Sequence, residues 1–76
     1  MKIVYIPVEQ SLNSPFTGRY RTYGIAAVDC SVNPHEVLDF IPDVSINREF
    51  VSALADHCTR GELEPIHLMQ IIEDSI

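Results

Sequence analysis

Apolar and polar positions follow two different periods along this chain. Over the first half they alternate, and over the last thirty residues they recur every three or four. Residues 2 to 8, KIVYIPV, are rich in β-branched and aromatic types and read as a strand. Pro7 cannot donate to a ladder, so it belongs on a sheet edge or at the strand's end. EQSLNSPFTG, Glu9 to Gly18, collects Ser, Asn, Pro and Gly and is expected to be a long, mobile loop. RYRTYGIAAVDC, residues 19 to 30, is the second strand. It places Tyr23, Ile25 and Ala27 on one face and Thr22, Ala26 and Val28 on the other. Gly24 inside it marks a bulge or the close approach of another element. SVNPHE is a turn cluster, and Val37 to Ile41 forms a third strand.

After Ile41 the period lengthens. Ser45 or Asn47 can cap a helix whose apolar residues Phe50, Val51, Leu54 and Cys58 share a side, and Gly61 is expected to end it. A second helix should open at Pro65, since a first helical position has no use for the missing N–H. Ile66, Leu68, Met69, Ile72 and Ile76 would be its docking side. Strands joined by loops form an antiparallel meander with the second strand in the middle. The chain therefore reads as one α+β domain over residues 1–76: a three-stranded antiparallel β-meander with two C-terminal α-helices packed on one face. A sheet covered on one side leaves its second face wet. Val4, Ile6, Val8 and Val28 are the residues there that would favour dimerisation.

Composition narrows the function. At 76 residues, 46% apolar and 21% charged, the chain is a globular domain with a small core, and such domains often lean on oligomerisation. Cys30 and Cys58 are too few and too far apart for a secreted disulfide framework, so free thiols in a cytoplasmic setting are expected. The N-terminal apolar run is broken by Pro7, and no run approaches a membrane span. Net charge is −6, unevenly spread. Residues 1–24 hold three cations and one acid, and residues 25–76 two arginines and ten acids. Phosphate neutralisation dominates nucleic-acid binding, so an acidic chain with five cations is not expected to bind nucleic acid.

The candidate chemistry is sparse. His67 stands six and seven positions before Glu73 and Asp74, about two helical turns, whereas a helical metal pair needs a spacing of three or four. His67 is expected to pack beside the first helix or bond nearby backbone. Asp56, His57 and Cys58 are adjacent, and neighbours on a helix point about 100° apart, so they do not form a nucleophile-base pair. No zinc spacing, phosphate loop or nucleophile elbow occurs, so no catalytic residue, metal or cofactor is assigned. The one concentration of positive charge is PFTGRYRTYG. Its Arg19, Tyr20, Arg21 and Tyr23, with His67 as a further polar contact, are the candidate ligand- or partner-binding residues. Alternation sets Arg19 and Arg21 on the face opposite Tyr20.

RTYGIAAVD together with the stretch from Ile41 to Ile76 resembles a family of small uncharacterised bacterial proteins carrying a domain of unknown function. The resemblance rests on Tyr23-Gly24-Ile25, on Asp43 and Ser45 before the first helix, and on Pro65-Ile66-His67-Leu68 with Glu73 and Asp74. It covers about three quarters of the chain. Where that family sets a small capping residue before the proline, this chain has Glu64. The resemblance implies a bacterial cytosolic domain and no activity or cofactor. The function expected from the sequence is that of a non-enzymatic protein–protein interaction or self-associating module, working as a homodimer through the sheet's exposed face or an edge strand and open to a further protein partner. The alternative is a small anion- or ligand-sensing domain built on Arg19 to Tyr23.

Overall fold

A computed structural model describes residues 2–76. Strands β1 (Ile3–Ser14), β2 (Gly18–Asp29) and β3 (Glu36–Ser45) form an antiparallel sheet in the order β1-β2-β3. Helix α1 (Arg48–Arg60), a 3-10 turn (Pro65–His67) and helix α2 (Leu68–Ser75) follow. The α+β meander with two C-terminal helices is thus the fold. No helix of the described residues is long and apolar enough to cross a membrane.

The first correction concerns Glu9 to Gly18, which is not a loop. β1 runs on to Ser14 and pairs with β2 without a break from Ile3 opposite Asp29 to Ser14 opposite Gly18. Only Pro15, Phe16 and Thr17 turn, and Gly18 follows with φ +77°. That is the grammar of a three-residue hairpin loop closed by a left-handed residue, and Pro15 supplies the fixed φ of the turn's first corner. Polar residues disguised the strand because no core covers this part of it.

Register also explains Pro7. The Cys30 N–H donates to the Lys2 carbonyl at 2.8 Å, so even-numbered β1 residues exchange ladder bonds with β2 and odd-numbered ones point their backbone outward. Pro7 therefore lacks an N–H where none is needed. Tyr5, also outward, donates its N–H to the Thr59 hydroxyl at 2.8 Å. That hydroxyl's own proton is shared between the carbonyls of Ala55 at 3.1 Å and Tyr5 at 3.3 Å. The end of α1 is thereby fastened to the free edge of β1.

β3 pairs with β2 only from Tyr23 to Asp29, with register shifts between Tyr23 and Ile25 and between Ala27 and Val28. At the first shift Pro42, Asp43 and Val44 face Gly24 alone, and Asp43 takes φ +51°. A Cβ on Gly24 would lie 2.5 Å from the Ile41 carbonyl oxygen and 2.9 Å from the Phe40 ring. Glycine is thus required where β3 and its aromatic ring close down on β2, and both readings of Gly24 hold at once.

The core lies between the sheet and the helices: Tyr5, Ile25, Ala27 and Val44 from the strands, Val51, Leu54, Ala55 and Cys58 from α1, Leu68 and Ile72 from α2. The Asn47 side chain caps α1, accepting from the Phe50 N–H at 3.1 Å. At the other end the left-handed residue is Glu62, φ +51°, one position beyond Gly61. Leu63 and Glu62 donate to the carbonyls of Cys58 and Thr59, closing a Schellman turn. Gly61 itself stays helical at φ −79°. Pro65 begins a 3-10 turn rather than the α-helix, which starts at Leu68, and Glu64 gives no side-chain cap. The docking side of α2 is narrower than its pattern suggests. Leu68 and Ile72 are buried and Ile71 half-buried, while Ile66, Met69 and Ile76 are exposed.

Candidate functional site

The sheet's second face carries apolar surface that no helix of the described residues covers. Strand alternation puts Val4, Ile6, Val8 and Leu12 of β1 on it with Tyr20, Ala26 and Val28 of β2. The register adds Val37 opposite Val28 and Phe40 opposite Ala26. Ile6, Val37 and Phe40 expose 42, 62 and 38% of their surface, and Leu38, in the second bulge, 39%. Val28 is only 9% exposed and Ala26 4%, since their neighbours cover them. Ile6, Val37 and Phe40, two of them from β3, therefore present this face. Val4 and Val8 are half-buried beside them.

A polar belt crosses the same face. Asp43 accepts a hydrogen bond from the Thr22 hydroxyl at 2.7 Å on one carboxylate oxygen and from the Tyr20 hydroxyl at 3.0 Å on the other. Its backbone N–H donates to the Gln10 side-chain oxygen at 2.9 Å. One residue of β3 thus holds β2 by its side chain and β1 by its backbone. Those three bonds hold the left-handed backbone at Asp43 in place. Thr22 is fully buried, and the Ser45 carbonyl lies 3.1 Å from its hydroxyl. The bond to Asp43 is the main cause of the raised Tyr20 pKa, because it opposes loss of the phenol proton.

The other face of the hairpin holds most of the cationic candidates. Arg21 lies 3.7 Å from Glu9, both side chains well exposed, and the Tyr23 hydroxyl donates to the same Glu9 oxygen at 3.4 Å. Arg48, at the start of α1, lines a shallow hollow with Pro7, Glu9 and Tyr23. Arg21 and Tyr23 are thus brought together, with Glu9 and Arg48 as members that sequence spacing did not single out. Glu9 stands where an anion bound by Arg21 and Tyr23 would have to sit. Arg19 lies further out, exposed. Tyr20 is on the opposite face, bonded to Asp43. His67 does not join them: it is exposed on the turn into α2, and its ring makes no hydrogen bond among the described residues, so the packing or bonding expected of it is not what the structure holds.

The remaining nucleophilic and titratable groups serve the fold. Cys58 is buried and its thiol pKa raised by desolvation, the opposite of an activated nucleophile. Tyr5 is 3% exposed, and its hydroxyl donates to the Leu63 carbonyl. Burial raises its pKa, with smaller contributions from Cys58, Asp39 and Glu64. Asp29 is held below the usual carboxylate range by the Ser31 hydroxyl at 2.6 Å and the Ser31 N–H at 2.9 Å. Among the described residues no three His, Cys, Asp or Glu side chains gather as a metal site would require.

No curated protein and no solved structure matches the chain. The family model of the family of unknown function DUF6514 matches residues 1–76, from end to end, and the chain belongs to that family.

Proposed function

We propose that this protein is a non-enzymatic self-associating module whose partner, in the first instance, is a second copy bound across the open face of the sheet. The observation that carries this reading is the apolar surface of Ile6, Val37 and Phe40, which no layer of the described residues covers. Edge-to-edge pairing is disfavoured by both rims. On β1, Thr59 already occupies Tyr5, and Pro7 has no N–H to offer. On β3, the outward N–H of Phe40 donates to the Asp39 carboxylate at 2.9 Å, and Pro42 follows. Face-to-face packing needs none of these backbone groups.

Light scattering on the purified chain at tens of micromolar tests the reading. A dimer is expected, and Ile6→Asp, which places a charge on the exposed face, is expected to return it to monomer with an unchanged far-UV spectrum. A wild-type monomer at that concentration would remove self-association as the function.

A further inference from the structure

Charge divides this molecule near Glu9. Beyond it β3 no longer pairs with β2, and Gln10–Ser14 with Gly18–Thr22 project as a two-stranded arm. Residues 10–24 hold Arg19 and Arg21 and no acid, so they carry +2, while the rest of the chain, the body, sets three cations against eleven acids and carries −8. At the end of β1 opposite the arm, the rim of the body opens into a hollow of about 440 Å³. It is lined by Ile3, Val4 and Leu63 with Lys2, Glu62 and Glu64. Its size falls among those of ligand pockets, roughly 300–1,000 Å³.

We propose that this hollow receives an arginine of a partner protein's extended segment, whose backbone pairs with β1 at Ile3. Open backbone is the first reason. Odd-numbered residues of β1 turn their N–H and carbonyl outward. On this rim Thr59 takes up both groups of Tyr5, and Pro7 has no N–H. Ile3, which lines the hollow, has neither group bonded on that side among the described residues. An extended segment laid along the rim can exchange hydrogen bonds with both. That is a single rung, so a side chain must supply the rest.

The lining selects that side chain. Ile3, Val4 and Leu63 are half-buried and offer apolar walls to an aliphatic stem, while Glu62 and Glu64 are exposed at the mouth. Neither carboxylate forms an ion pair among the described residues, whose pairs, Arg21 with Glu9 and Arg60 with Asp56, lie elsewhere. Lys2 sets one ammonium against these two acids, which leaves the mouth negative. A guanidinium on a three-carbon stem fits both parts, because it is weakly hydrated and presents a planar fork of donors to carboxylates. Glu62 also keeps its carboxylate at a left-handed position, φ +51°, where glycine would be unstrained. Over longer range, the −8 of the body draws a basic segment toward it and turns an acidic one away.

Amide NMR of the whole chain tests the site with two blocked tripeptides. Acetyl-Val-Arg-Val-amide is expected to shift the amides of Ile3, Thr59 and residues 62–64 to saturation, and acetyl-Val-Glu-Val-amide to shift none of them. Glu62→Gln with Glu64→Gln changes two exposed side chains and leaves the fold intact. It is expected to weaken the arginine peptide about tenfold, as loss of two exposed ion pairs allows. The site is overturned by no shift at millimolar arginine peptide, by equal shifts from the glutamate peptide, or by unchanged affinity in the double variant. Free arginine binding as tightly as the peptide overturns the pairing at Ile3. The inference does not rest on self-association: a chain that is monomeric in light scattering yet binds the arginine peptide removes the dimer and upholds this site.

Discussion

The two halves of one hairpin make the sharpest contrast in this molecule. From Ile3 to Glu9, β1 is paired to β2, roofed by α1 and pinned at its edge by Thr59. From Gln10 to Ser14 the same strand is paired to β2 and bonded at Gln10 to the Asp43 N–H, and none of its residues joins the core under the helices. Backbone pairing runs through both halves without interruption, so the ladder is not what separates them. The difference is the apolar layer: Tyr5, Ile25 and Ala27 meet Val51, Leu54 and Leu68, whereas Leu12 meets Tyr20 and solvent. A strand in water owes its stability to what covers it.

The largest expected effect breaks that contrast from the covered side. Leu68 has no exposed surface, and Leu68→Ala is expected to cost about 2–5 kcal/mol, lowering the melting temperature by ten degrees or more. The matching truncation in the arm, Leu12→Ala, is expected to cost under about 1 kcal/mol in the monomer, since a half-exposed side chain leaves no cavity. Thermal unfolding of the two variants side by side is the measurement. Equal losses would mean that the arm belongs to the same cooperative unit as the body.

Gly24 stands just on the body side of the boundary, and Gly24→Ala probes it. The added methyl would meet the Ile41 carbonyl oxygen and the Phe40 ring, so β3 must move away from β2 at a cost of about 1–3 kcal/mol. Because Phe40 is also part of the open face, the variant is expected to weaken any dimer as well. A neutral Gly24→Ala would show that β3 is not closed down on β2.

A smaller effect of opposite sign is expected at the far end of α1. Glu62 holds a left-handed backbone that costs a side-chain-bearing residue about 1 kcal/mol, so Glu62→Gly should raise body stability by up to that amount. Chemical denaturation would read it as a higher midpoint at unchanged slope. No change in the arm's hydrogen exchange should accompany it if arm and body open separately.

How much of this was legible in the sequence follows the same division. The body strands, α1 with its Asn47 cap, and the α+β order were readable because burial enforces a period on Val51, Leu54 and Cys58 and on Ile25 and Ala27. The arm was not, since EQSLN has no core to alternate against and polar composition resembles a loop; the legible signal was Pro15 with Gly18 three residues on. Gly61 looked like the helix stop, but Glu62 takes the left-handed position because Gly61 still fits the last helical turn. In the candidate site, Arg21 and Tyr23 do converge, through a Glu9 that the loop assignment had removed from any face. Asp43 was visible only as an acid before a helix. Its belt depends on a bulge, and a bulge breaks the very alternation by which strands are read.

The smallest effect compares one tyrosine from each region. Tyr5 in the body is raised above the ordinary value near 10 chiefly by burial, and Tyr20 at the root of the arm chiefly by its bond to Asp43. Both folded values lie above the unfolded one, so this contribution to stability is complete below about pH 10 and is lost as pH rises through the folded values. Ultraviolet titration of the phenolate should therefore show less ionisation in folded than in urea-unfolded protein just above pH 10. Asp43→Asn should bring Tyr20 back toward the ordinary range and leave Tyr5 raised. Coincident folded and unfolded titrations would show that neither hydroxyl is held as described; a persistent two-tyrosine lag in Asp43→Asn would show that burial rather than the belt governs the arm's root.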